Sequence, residues 1–154
     1  MSLRETFTEQ MKSAMKSGEK RRVATLRLVL AALKDRDIAN RSEDSRELLG
    51  DDEILTLLAK MIKQREESAD TYDKGNRPEL AATEREEIAI IREFMPKQMD
   101  AAEAKTAAQS VITELGASAM KDMGRVMAAL KERYAGQMDF AKASALVKDL
   151  LSAK

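Results

Sequence analysis

Histidine and cysteine are both absent from this chain of 154 residues, which also has only two prolines, six glycines and 3% aromatic residues. Without cysteine there is no disulfide framework, no thiolate zinc site and no cysteine nucleophile. Without histidine, the commonest general base near neutral pH is missing as well. The sequence also contains neither of the two common glycine-rich phosphate loops. We therefore predict no catalytic residue, no metal site and no cofactor.

Long apolar runs are missing too. No stretch approaches the roughly 18 residues that a membrane-spanning helix needs. The first ten residues, MSLRETFTEQ, lack the apolar centre of a signal peptide. These features predict a cytoplasmic protein with no membrane contact.

The residues that are abundant favour helices. Hydrophobic residues make up 44% of the chain and charged residues 35%, and most of them are strong helix formers such as Ala, Leu, Met, Glu and Lys. Glycine and proline are too scarce to separate the many short strands of a sheet. The composition therefore predicts an all-α fold.

Apolar spacing and breakers predict four helices before Pro96. Three cover about residues 3–17, 19–40 and 79–95, and the third in chain order runs from a cap at Asp51 or Asp52 to the breakers in the segment DKGNRP, residues 73–78. Ser2 and Glu5 have capping-box spacing, Gly18 is a helix stop, and Asp51 or Asp52 is the expected cap of the third helix. Residues 41–50 are predicted to be a loop. The expected inner stripe of the first helix is Leu3, Phe7, Met11 and Met15.

The second predicted helix is apolar nearly all round. Val23, Leu26, Leu30 and Leu33 form one stripe, which Leu28, Val29, Ala31 and Ala32 widen. A helix with this pattern is usually covered by several neighbours. We therefore expect it at the centre of the N-terminal half.

Pro96 is the clearest boundary, because proline cannot donate to a helical ladder and disfavours α geometry in Met95. It predicts an elongated N-terminal helical domain of residues 1–95 and a compact C-terminal domain of residues 96–154. Three helices are expected in the second domain: one that Asp100 caps and that ends at Leu115, one at about 120–134, and one that Asp139 caps.

Two charged groups allow more than one interpretation. Lys20, Arg21 and Arg22 crowd the start of the second helix, where basic residues oppose the helix dipole. We expect a solvated surface there, with an arginine ion pair to the acidic third helix as the alternative. The acidic run Glu84, Glu86 and Glu87 could bind a hard cation, but a solvated helix face is the expected interpretation.

Charge is unevenly distributed although the net charge is zero. Residues 1–50, 51–95 and 96–154 carry net charges of +3, −5 and +2. A dedicated nucleic-acid binder is usually more basic. Any RNA contact must therefore use a local patch and should be weak and salt-sensitive.

The most distinctive segment is GASAMKDMGRVM, residues 116–127. Gly124 lies inside a helical pattern, where glycine costs about 1 kcal/mol relative to alanine. A phosphate at the start of this helix, where N–H groups are free, would explain Lys121, Gly124 and Arg125 together. The alternative is that Gly124 permits tight packing in a small bundle.

The chain resembles the YqeY-like proteins over nearly its whole length. The resemblance is carried by these segments: Ala14–Lys16 with Thr25–Lys34, Met61–Arg65, Tyr72–Gly75 with Arg77, Glu87–Ile88 through Phe94–Met99, Gly116–Ser118 and Met120–Gly124. The family implies a two-part helical fold. Its C-terminal half is similar to a tail domain of the glutamine-dependent aspartyl/glutamyl-tRNA amidotransferase, which helps that larger enzyme to hold tRNA.

The position of Gly124, the basic residues on the same helix and the resemblance to the tail domain together predict a non-catalytic tRNA-interacting module that uses its C-terminal domain. The residues that we expect to contact the nucleic acid are Lys121, Gly124, Arg125, Lys131, Lys142 and Lys148. One alternative is a protein-interaction module, with a protein of the tRNA aminoacylation machinery as a candidate partner. Another is an auxiliary role in the amidotransferase reaction, a carbon–nitrogen ligation with glutamine as nitrogen donor, which the family label suggests.

Overall fold

The computed structural model describes residues 2–41 and 47–153. These residues form seven α-helices and one short 3₁₀ turn, with no strand among them. The predicted all-α fold is confirmed. The helices group into two compact units that divide between Met95 and Pro96.

The first unit contains four helices, α1 (Leu3–Ser17), α2 (Lys20–Ala39), α3 (Asp51–Lys74) and α4 (Pro78–Arg92). The predicted capping box at Ser2 is present, and Gly18 ends α1 in the left-handed region at φ 73°. The fourth helix is shorter than predicted, because it ends at Arg92 and tighter turns continue to Met95. Of the predicted loop, residues 42–46 lie outside the described residues.

The core of the first unit is built around Phe7, which is completely buried. Its ring meets the Phe94 ring edge to face at 5.1 Å. Apolar side chains from all four helices belong to the same core, including Val29, Leu33, Ile54, Leu58 and Ile91. The predicted stripe on α1 is wrong at Met15, whose side chain is 57% exposed, because Ala14 is buried instead.

Helix α2 contacts α1, α3 and α4, as its central position requires. Its predicted burial all round is nevertheless wrong. Leu28 is 46% exposed, and Ala24 and Ala31 also face solvent. The three neighbours lie on one side of the helix, so the opposite face has no cover within the described residues.

Asp37 joins three segments of the first unit. Both Arg4 guanidinium nitrogens donate to its carboxylate, at 2.9 and 2.6 Å, and the Leu49 N–H donates to its Oδ1 at 3.0 Å. Arg4 also donates to the Leu49 carbonyl oxygen at 3.1 Å. One buried acid thus ties the start of α1 and the end of α2 to the segment that leads into α3.

The start of α3 differs from the prediction. Gly50, not Asp51 or Asp52, is the capping residue, and no side chain caps the helix. The Asp51 carboxylate accepts from the Leu3 N–H at 3.2 Å instead. A tertiary hydrogen bond to α1 therefore replaces the expected local cap, and Asp51 still lies in the first turn, where the helix dipole favours an acid.

Several charged side chains of the first unit form ion pairs between helices. Arg21 and Arg22 reach Glu86 and Glu93 of α4, at 3.0 and 2.6 Å, so the acidic partner is the fourth helix and not the third. Three further ion pairs join α3 to α4: Arg65 with Glu87, Arg92 with Glu66, and Arg85 with Asp73. The Arg65–Glu87 pair is largely buried, with side chains 13% and 14% exposed.

The second unit contains α5 (Ala101–Leu115), α6 (Met123–Arg133) and α7 (Phe140–Ser152), with a 3₁₀ turn (Met120–Asp122) just before α6. Asp100 and Asp139 cap α5 and α7 as predicted. The three helices share an aliphatic core, in which the following residues are almost fully buried: Val111, Ile112, Val126, Leu130 and Val147. The unit therefore has its own core and holds the candidate site on α6 and the turn before it.

Candidate nucleic-acid interface

The segment between α5 and α6 is organised around Asp122. Gly116 ends α5 in the left-handed region at φ 64°. The Asp122 carboxylate accepts from the Ser118 N–H at 3.0 Å, from the Ala119 N–H at 3.4 Å and from the Arg125 guanidinium at 2.9 Å. The Ser118 amide and then the Arg125 guanidinium hold the pKa of this carboxyl below its usual value. Asp122 therefore stays ionised and fixes both the loop and Arg125.

Sequence reasoning did not single out Asp122, although two signals could have identified it. An aspartate three positions before Arg125 has the spacing of a helical ion pair, and aspartate readily accepts from nearby backbone amides in turns. Asp122 is only 8% exposed, and its carboxylate contacts Arg125, one of the expected phosphate contacts. The basic side chains around it must outweigh that charge for an anion to bind.

The start of α6 offers fewer free amides than expected. The 3₁₀ turn runs directly into the helix, and the Met123 N–H donates to the Met120 carbonyl oxygen. This hydrogen bond occupies one of the N–H groups that were expected from the sequence to be free to bind an anion. An anion here would bind mainly through side chains.

Gly124 lies on the open surface of α6. A methyl group added at its Cα would meet no atom within 4 Å apart from its own helix. The alternative that Gly124 permits tight packing within the bundle is therefore wrong. Gly124, Ala128 and Lys131 are all exposed and follow one another at helical spacing, so they form a low surface strip that ends in a lysine.

The six predicted residues do not all lie together. Lys121, Gly124 and Arg125 are exposed neighbours in the 3₁₀ turn and the first turn of α6. Lys131 follows about two turns later on the strip that contains Gly124. Lys142 and Lys148 are exposed on α7, but a separation of six residues turns them about 120° apart on the helix. The two α7 lysines therefore point in different directions.

The hydrogen bond to Asp122 uses only part of the Arg125 guanidinium group. Its side chain is 56% exposed although one guanidinium nitrogen donates to the carboxylate. An arginine presents five donors in a planar fork. Donors that Asp122 does not use remain available to a second acceptor, such as a phosphate oxygen.

The described residues give little support to a metal site or a membrane span. Among them, no group of three or more acidic side chains is arranged to hold a metal ion. Glu86 and Glu87 of the acidic run are engaged with Arg21 and Arg65. Burial, and then the nearby Glu87 carboxylate, raise the pKa of Glu84, an effect that packing of α4 on α3 explains. No helix in residues 2–41 or 47–153 combines the length and apolarity of a membrane span.

Comparison with known proteins gives one match over nearly the whole chain. The profile of the family described as YqeY-like protein matches residues 4–151. The chain belongs to the YqeY-like family. The resemblance predicted from the sequence motifs is therefore confirmed at the level of the family.

Three proteins of known sequence are similar to this YqeY-like chain. "Altered inheritance of mitochondria protein 41, mitochondrial" from Lachancea thermotolerans is 31% identical over 109 residues, which are 70% of this chain and 56% of that protein. The protein of the same name from Kluyveromyces lactis is 29% identical over 86 residues, 56% of this chain and 44% of that protein. An uncharacterized protein from Schizosaccharomyces pombe is 29% identical over 96 residues, 62% of this chain and 74% of that protein. This chain thus spans about half the length of the two named relatives.

Proposed function

We propose that this YqeY-like protein is a non-catalytic helical module whose second unit binds the phosphate backbone of tRNA. The observation that supports this best is the exposed strip on α6, where Gly124 has open space above it and Lys121, Arg125 and Lys131 lie around it. A missing side chain between basic residues lets a backbone phosphate come close to the helix. Such contacts position RNA without reading its sequence.

The choice of tRNA rests on the resemblance of the second unit to the amidotransferase tail, which is itself part of this proposal. The net charge of residues 96–154 is only +2, so the interaction should depend on a few local contacts. Lys142 and Lys148 on α7 are two further candidate contacts, and they point in different directions from that helix. The proposal also includes the expected cytoplasmic location.

The protein-interaction alternative was motivated by the zero net charge and by an acidic third and fourth helix opposite a basic second helix. In the first unit, Arg21 and Arg22 already pair with acidic residues of α4. The alternative of an auxiliary role in the amidotransferase reaction is supported only by the family label, since the described residues suggest no group that would release or transfer ammonia. The names of the Lachancea and Kluyveromyces relatives refer to inheritance of mitochondria and name no ligand.

A titration of the whole chain with bulk tRNA tests the proposal. About three to four phosphate contacts predict that log K falls with log salt with a slope of about −3. Filter binding or fluorescence anisotropy at several salt concentrations measures both the affinity and the slope. Binding that is undetectable at low salt, or that does not change with salt, would disprove the proposal.

Charge reversal at the site should abolish most of this binding. Lys121→Glu combined with Arg125→Glu is expected to weaken tRNA binding at least tenfold, because two attractive phosphate contacts become repulsive. The matched control is Lys60→Glu with Lys63→Glu, which makes the same charge change at two exposed residues of α3. Equal losses in both double variants would show that only total charge matters and would refute this site.

Gly124→Ala separates stability from binding. Alanine fits without a clash and favours the helix, so the second unit should gain a few tenths to about 1 kcal/mol of unfolding free energy. The added methyl group should at the same time weaken tRNA binding several-fold, since it fills the space that a phosphate would use. Thermal unfolding measures the stability, and the tRNA titration measures the binding. A variant that is stabilised but binds tRNA normally would show that Gly124 is not part of the site.

A further inference from the structure

The side of α2 that points away from its helical neighbours is strongly basic. Lys20, Arg27 and Lys34 are exposed there and follow one another at intervals of seven residues. Seven residues are nearly two helical turns, so the three cations form one row along the helix, which we call the basic row. Its members are about 10 Å apart along the axis, and the row is about 21 Å long. Val29 and Leu33, which are almost fully buried, lie on the other side of the helix.

The basic row has no acidic partner in the described structure. None of its three cations forms an ion pair with any residue that the structure describes. In contrast, Arg21 and Arg22 of the same helix pair with Glu86 and Glu93 of α4. The fold therefore neutralises two neighbouring arginines and leaves the charge of the basic row available to an anion from outside the chain.

Within α2, one exposed acid opposes this charge. Asp35 follows Lys34 directly, so it is turned about 100° from the basic row. The other acid of the helix, Asp37, is buried in an ion pair. Ala24 and Ala31, both exposed, lie between the basic row and Asp35 around the helix. Their small side chains let a partner come close to the helix beside the longer cations.

A nucleic-acid backbone suits the basic row better than a membrane or an acidic protein does. RNA carries a phosphate at every nucleotide, so it presents negative charge to a straight row of cations in any register. An acidic protein would need carboxylates at the matching spacing. A helix that lies in a membrane surface needs a broad apolar face to insert, whereas the large exposed apolar side chains of α2 are Leu28 and Ile38 alone.

We propose that the basic row on α2 is a second RNA-backbone surface of this protein, which binds RNA independently of the α6 site. Three phosphate contacts predict that log K for this surface falls with log salt with a slope of about −2 to −3. Contacts to the backbone hold RNA without reading its sequence. The first unit thereby takes part in RNA binding without any contribution from Lys121, Gly124 or Arg125.

Protection of a cysteine placed beside the basic row tests this surface, because the chain has no cysteine of its own. Bulk tRNA at low salt should slow alkylation of Ala31→Cys by about fivefold or more once most of the protein is occupied. Ala82→Cys is the matched control, because Ala82 is an exposed alanine on the acidic helix α4. Its alkylation rate should stay unchanged. Absence of protection in Ala31→Cys, or equal protection of both thiols, would overturn the proposal.

Neutralising the basic row should remove the protection of Ala31→Cys. The row variant carries three further changes: Lys20→Gln, Arg27→Gln and Lys34→Gln. The control variant removes the same charge from the three exposed lysines of α3 instead: Lys60→Gln, Lys63→Gln and Lys74→Gln. Circular dichroism checks that both proteins are folded. Protection that survives in the row variant, or that is lost equally in the control variant, would show that the basic row is not the contact.

The same experiment separates this surface from the α6 site. Lys121→Glu with Arg125→Glu, added to Ala31→Cys, should leave the thiol protected at saturating tRNA. Loss of protection in that protein would mean that α2 binds no RNA by itself, which contradicts the proposal. If the thiol stays protected while the α6 changes leave the affinity for tRNA unaltered, the basic row is supported and the α6 site is refuted.

Two other polyanions test the choice of RNA. Vesicles of equal parts phosphatidylserine and phosphatidylcholine attract exposed lysines and arginines, and poly-glutamate represents an acidic protein. Both should slow alkylation of Ala31→Cys much less than tRNA does at the same concentration of negative charge. Stronger protection by the vesicles or by poly-glutamate than by tRNA would overturn the assignment to RNA.

Discussion

Phe7→Ala is expected to lower the unfolding free energy of the first unit by about 3–5 kcal/mol. The side chain is 0% exposed, it packs against Phe94, and it belongs to the core that all four helices share. Its removal loses the transfer free energy of a whole ring and leaves a cavity that the rigid helices can close only in part. Urea unfolding followed by circular dichroism at low micromolar protein measures the loss.

Met15→Ala is the control for this variant, because it shortens another large apolar side chain of the same helix. Met15 is 57% exposed, so its truncation should change stability by less than about 0.5 kcal/mol. Hydrogen exchange should also show that Phe7→Ala reduces protection in the first unit far more than in the second, since each has its own core. A Phe7→Ala protein whose stability is close to that of the wild type would contradict the described packing.

Asp37→Ala is expected to cost about 2–3 kcal/mol. Without the carboxylate, Arg4 loses its bidentate partner and the Leu49 N–H loses its acceptor. Removing one member of a mostly buried ion pair is costly because the other is left without compensation. The expected cost is smaller than the roughly 3–5 kcal/mol of a fully buried pair, since the Arg4 side chain is 27% exposed and water can replace part of the contact.

The Asp37 contribution should also depend on pH in a definite direction. The Arg4 hydrogen bond, together with the Leu49 amide, lowers the pKa of Asp37 in the folded protein. A lowered pKa means that the stabilisation is complete above the ordinary aspartate value of about 4 and is lost as pH falls toward the folded value. The stability difference between wild type and Asp37→Ala should therefore shrink between about pH 5 and about pH 2.

Asp35→Ala is the matched control for both measurements. Asp35 lies two residues earlier on the same helix, but its side chain is exposed. Its removal should change stability little at any pH. If Asp35→Ala were as destabilising as Asp37→Ala, a general charge effect on α2 and not the Arg4–Asp37–Leu49 arrangement would be responsible.

The local parts of the fold could be predicted from the sequence because they depend on neighbours along the chain. The capping box at Ser2, the caps at Asp100 and Asp139, and the left-handed glycines that end α1 and α5 all follow from residues within one helical turn. The helices themselves follow from composition and apolar spacing. The family followed from short motifs that are spread in order along the chain.

The candidate site could be predicted only in outline. Lys121, Gly124 and Arg125 are close in sequence, so a helix necessarily brings them together. The empty space above Gly124 and the hydrogen bond from Arg125 to Asp122 depend on where the loop and the other helices pack. Spacing alone could not choose between a buried and an exposed glycine.

The sequence by itself determined that this chain is helical, where most of its helices start and stop, and that it resembles the YqeY-like proteins. Only the tertiary structure decided which side of each helix is covered. Met15 and Leu28 have the spacing of core residues yet face solvent, and the charged Asp37 is buried at the junction of three segments. The physical reason is that periodicity defines a face, whereas burial depends on which distant helix packs against it and at what rotation.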